Sequence, residues 1–146
     1  MLVPFCGKTP DLLWLEELGN EVVGVELSDL AARDFFVEND IEFDTAWHRD
    51  MTCFSAVNRD IRIVCGDYLS YSGESFDACY DRGALIALPR DLRVPYAAHT
   101  SSLLAAGAYH CLICVEYDQS MLQGPPFAVF DDEVRSYWPD MQRVGD

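Results

Sequence analysis

The sequence predicts a doubly wound α/β domain over residues 1–146, with a mostly parallel sheet and helices on both faces in three layers. Two observations predict it. Strand-like and helix-like segments alternate along the chain, and the strands are largely apolar, as strands covered on both faces tend to be. Right-handed crossovers then make the sheet doubly wound.

Each element has its own signal. Leu2 to Phe5 is a short apolar strand that breaks at Cys6-Gly7. Asp11 to Leu18 carries Leu12, Leu15 and Leu18 at helical spacing and stops at Gly19-Asn20. Val22 to Val25 is a buried strand ending on Glu26, and Ser28 caps a helix running to about Glu38 with Leu30 and Phe35 facing inward. Residues 41–58 are the least regular part; Thr52 to Val57 and Ile61 to Cys65 can pair as a hairpin around Asn58-Arg59-Asp60. Phe76 to Tyr80 is a strand ending at Asp81-Arg82-Gly83. Pro89 to Ala106 is a long helix with Leu92, Tyr96 and Leu103 inward, ended by Gly107. Ala108 to Tyr117 is the last clear strand, and Asp131 caps a helix reaching Trp138.

Composition narrows the partners. Twenty-five acidic against ten basic residues give a formal charge of -15. Such a surface repels phosphate backbones, so nucleic acid is disfavoured and a small molecule fits. No apolar run is long enough for a membrane helix and no basic-then-apolar leader opens the chain, so a soluble cytoplasmic protein is expected. The six cysteines read as free thiols. Cys111 and Cys114 form a C-x-x-C pair inside a strand, where residues three apart face opposite ways; core packing is the better reading than a metal or redox site. His48, His99 and His110 form no triad or metal set, and His110 reads as a packed residue.

In a doubly wound sheet the ligand lies outside the carboxyl ends of the strands, at the switch point. Three junctions carry chemistry there. Gly7 follows strand one and lets a ligand approach the backbone. Glu26 ends strand two, nineteen positions later, where an acid can accept both ribose hydroxyls of a nucleoside. Gly66-Asp67-Tyr68 follows strand three, with an acceptor for an exocyclic amine and a ring to pack on a base; turn chemistry alone also explains the Gly-Asp pair. Together they favour an adenosine-containing cofactor. The missing G-x-G-x-x-G tilts away from a pyrophosphate.

Several segments resemble the thiopurine S-methyltransferase family, in the family's order and over nearly the whole chain: Leu2-Val-Pro-Phe-Cys-Gly-Lys8, Val22-Val-Gly-Val-Glu-Leu-Ser28, Tyr80-Asp-Arg-Gly-Ala-Leu-Ile-Ala-Leu-Pro89, and Glu116-Tyr-Asp-Gln with Gly124-Pro-Pro-Phe127. The resemblance implies the Rossmann-like class I methyltransferase fold and S-adenosylmethionine as cofactor. It implies methyl transfer to sulfur in thiopurines or other thiols, or to selenium or tellurium compounds. It places Phe5 and Gly7 along the cofactor, Glu26 on the ribose, Asp67 and Tyr68 beside the adenine, and Arg82 next to the cofactor facing the acceptor. No metal is expected. Without the resemblance, Arg82 would read as a salt bridge to Asp81 or a helix end.

The family carries an amino-terminal lid before strand one and two strands after the last helix. Met1 falls almost inside strand one here, so the expectation is a monomer shortened at both ends, with the fifth strand an exposed edge that permits self-association. Two other readings stand beside it: a non-catalytic or partner-binding remnant, and a nicotinamide-dependent oxidoreductase, which the absent glycine triplet and the Asp-Arg-Gly-Ala segment oppose.

Overall fold

The computed structural model describes residues 1–145, and of His48 the backbone alone. Its strands are β1 (Leu2–Pro4), β2 (Val22–Glu26), β3 (Phe43–His48), β4 (Met51–Ala56), β5 (Ile61–Cys65), β6 (Phe76–Asp81) and β7 (Leu104–Leu112). Its helices are α1 (Asp11–Glu17), α2 (Asp29–Glu38), α3 (Arg90–Leu103) and α4 (Asp131–Tyr137). The strands form one sheet in the order β3-β4-β5-β2-β1-β6-β7. From β5 to β7 every pairing is parallel; β3 and β4 extend the β5 edge as an antiparallel pair.

Alternation along the parallel strands divides the core into two layers. Leu2, Val23, Val25 and Val64 pack with Tyr68, Leu85, Tyr96 and Leu103 under α3 and α4. Val3, Val22, Ile61 and Ile63 pack on the other face with Leu12 and Leu15 of α1 and with Ala32, Phe35 and Phe36 of α2. The expected three-layer α/β architecture is therefore present, and the strand order reverses between β1 and β6.

Ser28 caps α2 as expected, its hydroxyl accepting from the Ala31 amide at 3.1 Å. The buried face of α2 is set by Ala32, Phe35 and Phe36, however, and Leu30 is 67% exposed. The α3 face is likewise rotated by one position. It buries Arg93, Tyr96, Ala97, Thr100 and Leu103, and Leu92 points outward. A cation displaces the leucine because Arg93 finds the Glu133 carboxylate and the Leu88 and Ala128 carbonyls inside. α3 also ends at Leu103, three residues earlier than expected, and β7 starts at once. Gly107, with φ 78°, is not a helix terminator; it lies in the irregular register between Phe76↔Leu104 and Ala78↔Tyr109. Asp131 is the first helical residue of α4 rather than its cap; Phe130 holds the cap position without a side-chain bond, and Asp131, Asp132 and Glu133 instead bring negative charge to the helix start.

The irregular stretch contains β3, which pairs with β4 from Phe43↔Ala56 to His48↔Met51. The expected pairing of β4 with β5 is present. β7 pairs with β6 alone among the described residues and is an edge strand, so Cys111 is exposed rather than packed in the core, while Cys114 lies beyond its end, half-buried. All six cysteines are free. Of the histidines, the His48 side chain lies outside the described residues; the His99 ring packs edge-on against Tyr68 and the His110 ring against Trp138. No described helix is long and apolar enough to cross a membrane.

Candidate functional site

The reversal of strand order between β1 and β6 opens a crevice at their carboxyl ends. The chain leaves β1 through two residues in the left-handed region, Phe5 (φ 48°) and Gly7 (φ 54°). Phe5 holds this conformation at some cost, of order 1–3 kcal/mol. Its ring offsets that by packing edge-on between Tyr68 and Tyr96, at centroid distances of 5.5 and 5.7 Å. Cys6, between them, is buried against β2: a Cβ on Gly24 would sit 2.5 Å from the Cys6 sulfur, so Gly24 is the seat that lets the turn lie down. Burial pushes the Cys6 thiol far up, leaving it an inert packing group.

Glu26 joins β1 to β2 at this edge. One carboxylate oxygen accepts the Gly7 amide at 2.8 Å and the other accepts the Ser28 amide at 2.9 Å. The Glu26 carbonyl accepts the Gly66 amide at 2.9 Å, tying in the β5 turn. At that turn Asp67 caps a short 3₁₀ segment, accepting from the Leu69 amide and the Ser70 hydroxyl at 3.2 and 2.9 Å. The ring that the sequence offers to a base lies in the core instead: Tyr68 is 3% exposed, and its hydroxyl is 2.9 Å from Thr100 Oγ1.

Arg82 follows β6. Its partner is not Asp81 but Asp11, at the start of α1, whose Oδ2 accepts from Arg82 Nη1 at 2.6 Å and from the Tyr80 hydroxyl at 3.3 Å. Asp11 raises the Arg82 pKa through this bond, and burial followed by Asp11 raises that of Tyr80. Arg82, Asp11, Tyr80, Phe5 and Thr9 border a cleft of about 140 Å³. A larger hollow, about 630 Å³, lies along the end of β7, α4 and residues 141–145, and none of the junction residues lines it. Of the junction residues, Phe5 and Arg82 line the smaller cleft, which opens at the switch point.

Asp81 turns inward. It is fully buried, accepting the Tyr96 hydroxyl at 2.6 Å and the amides of Ala84 and Leu85 at 2.9 and 3.3 Å. The carboxylate thus folds the Arg82-Gly83 turn back onto α3. Burial raises its pKa despite those three donors. A carboxyl with a raised folded-state pKa holds its proton more tightly folded than unfolded, so its ionisation destabilises the fold as pH rises through that value. Asp81→Asn is therefore expected to remove this decline, and urea titrations of both chains from pH 4 to 8 would show the parent falling relative to the variant as pH rises.

The junction residues Phe5, Gly7, Glu26, Asp67 and Arg82 all reach the same edge. Sequence reasoning missed Asp11, Tyr80 and Tyr96. An acid in the first turn of the helix that follows the β1 turn must face this edge, and that position was the available signal for Asp11.

This is the Rossmann-like α/β fold of the class I methyltransferases. The crystal structure of Burkholderia thailandensis 1,6-didemethyltoxoflavin-N1-methyltransferase with bound 1,6-didemethyltoxoflavin and S-adenosylhomocysteine matches 94% of this chain and 57% of its own, with TM-score 0.64 and 18% identity. The sequence is more specific: the model of the thiopurine S-methyltransferase (TPMT) family matches residues 1–145. The chain is 44% identical to a Pseudomonas fluorescens thiopurine S-methyltransferase over 148 aligned positions, covering 99% of this chain and 63% of that protein. It is 43% identical to the Bordetella petrii protein of the same name, covering 94% and 64%. It belongs to the thiopurine S-methyltransferase family, and it spans a little under two thirds of the length of these two relatives.

Proposed function

We propose that this chain is the cofactor-binding part of an S-adenosylmethionine-dependent methyltransferase acting on a small acceptor: a thiopurine or other thiol, or a selenium or tellurium compound. The observation that carries the reading is Glu26, a carboxylate fixed by two backbone amides at the end of β2 and bonded to the glycine that ends the β1 turn.

The residues fit this cofactor. Each Glu26 oxygen accepts one amide and keeps a lone pair for a ribose hydroxyl. Space beside Gly7 is open, since a Cβ there would meet nothing within 4 Å. Asp67 has acceptor capacity for an adenine amine, and the buried Tyr68 ring anchors the turn. No glycine triplet cradles a phosphate, and the cofactor has none. When bound, S-adenosylmethionine supplies an electrophilic methyl group on a sulfonium. A thiolate is already a good nucleophile, so the chain has mainly to align the partners and exclude water. Phe5 and the β1 turn form one wall of the cleft. Arg82, on the opposite rim, favours the anionic form of the acceptor. The Gly124-Pro-Pro-Phe127 loop docks on the β6 side through the Phe127 amide, which donates to the Ile86 carbonyl at 2.6 Å, and shapes the acceptor side. The acidic surface keeps phosphate backbones away.

Incubation with methyl-labelled S-adenosylmethionine and a set of thiols, selenols and tellurite tests the reading. Label is expected on at least one sulfur, selenium or tellurium acceptor, with kcat/KM lower by about tenfold or more in Arg82→Gln. A chain that binds the cofactor and methylates none of these acceptors contradicts it.

A further inference from the structure

The Asp11 carboxylate is placed between two residues of the cleft rim and is used by neither the cofactor nor the acceptor in the function proposed above. We propose that Asp11 is the positioning residue for Arg82: it holds the guanidinium across the cleft mouth so that the remaining donors meet an anionic acceptor.

The geometry supports this in three ways. Arg82 needs holding, because its side chain is 57% exposed and a free arginine carries about 2 kcal/mol of rotamer entropy. Its closest hydrogen bond is to Asp11 Oδ2, through one Nη, with Tyr80 as a weaker side-chain partner. That leaves most of the five N–H donors unengaged.

Asp11, by contrast, is itself held. Its side chain is 17% exposed, it opens a helix anchored by buried Leu12 and Leu15, and its backbone amide reaches Thr9 Oγ1 at 3.3 Å. Tyr80 gives the same oxygen a second donor, and the Tyr80 ring is kept in place by Trp14 at a centroid distance of 6.2 Å. The acid is thus the fixed point and the arginine the part it orients.

Finally, the pair bridges α1 and the end of β6, the two elements that flank the switch-point cleft. A salt bridge serving stability alone would be worth little at this exposure; one that aims a donor at a ligand shows its effect in binding.

This inference rests on the reading of Arg82 as the acceptor-facing cation, and the test separates the two. The probe is 2-nitro-5-thiobenzoate, an aromatic thiolate, titrated into the chain saturated with S-adenosylhomocysteine. Arg82→Gln is expected to weaken probe binding by about tenfold, and failure of that step overturns the acceptor reading together with this proposal. Asp11→Ala is expected to weaken it by about three- to fivefold, Asp11→Glu to recover most of the loss, and Asp11→Ala in the Arg82→Gln background to change it by less than about twofold. An undiminished Asp11→Ala effect in that background means the acid acts on its own and overturns the proposal, as does unchanged probe binding in Asp11→Ala.

A second measurement needs no ligand. The Arg82 Nε–Hε signal in a nitrogen–proton NMR spectrum, assigned by its loss in Arg82→Gln, is expected to be ordered in the parent and motionally averaged in Asp11→Ala. Equal order in both overturns the proposal even in a chain that binds no cofactor.

Discussion

Arg93→Ala is expected to lower the unfolding free energy by about 3–5 kcal/mol, the scale for stripping one partner from a buried ion pair. The Arg93 side chain is 4% exposed inside α3, facing a Glu133 side chain at 13%. Its Nη1 donates to both Glu133 oxygens at 2.9 and 3.0 Å and to the Ala128 carbonyl at 3.3 Å, while Nε donates to the Leu88 carbonyl at 3.0 Å. The guanidinium also lies 5.9 Å from the centre of the Phe127 ring. One cation therefore joins the segment after β6, the Gly-Pro-Pro-Phe loop and α4. Alanine would leave Glu133 with the Tyr137 hydroxyl as its remaining side-chain donor and two carbonyls without Arg93. The double replacement Arg93→Met with Glu133→Leu removes both charges and is expected to recover most of the loss. Urea unfolding of the three chains checks this; a single variant within about 1 kcal/mol of the parent would show that the pair is not buried as described.

Acid should act on the fold through His110. Both ring nitrogens are buried without a hydrogen-bond partner, and burial lowers its pKa from 6.5 to about 4. The folded chain thus resists the proton that the unfolded chain accepts. Between about pH 6.5 and 4 the unfolded state binds more protons, so stability is full above that window and is lost as pH falls through it. The shift, discounted for the partial exposure of the ring, corresponds to about 1–3 kcal/mol. His110→Phe keeps an aromatic ring against Trp138, 4.6 Å away in the parent, and removes the titration. Unfolding free energies at pH 7.5 and 4.5 should show the parent losing that amount more than the variant. Equal losses would mean that other groups carry the acid sensitivity.

What was legible in the sequence follows from what each signal depends on. The strands β1, β2, β5 and β6 are mainly apolar and need no partner to be recognised, and Gly7, Glu26, Asp67 and Arg82 stand at or just after their carboxyl ends. β3 was not legible because Asp44, Thr45, Ala46 and Trp47 of this outer strand are all exposed, so no buried face marks it, and its pairing with β4 is a tertiary fact. The phase of α3 was misread because Arg93 is buried only by virtue of Glu133, 40 residues away. Tyr68 illustrates the same limit in the site. An aromatic after Gly-Asp suggests a stacking platform, yet Thr100, Phe5 and Tyr96 claim it for the core. Asp11, too, looked like an ordinary helix start until α1 was placed beside β6.

The central claim is that the edge built around Glu26 holds the nucleoside of S-adenosylmethionine, and calorimetry with S-adenosylhomocysteine on the parent and on Glu26→Ala tests it most directly. The account predicts binding in the parent and a loss of about 1–3 kcal/mol in the variant, the cost of leaving hydroxyl partners unmade. A folded parent that binds no S-adenosylhomocysteine, or a variant that binds it equally well, would contradict the account.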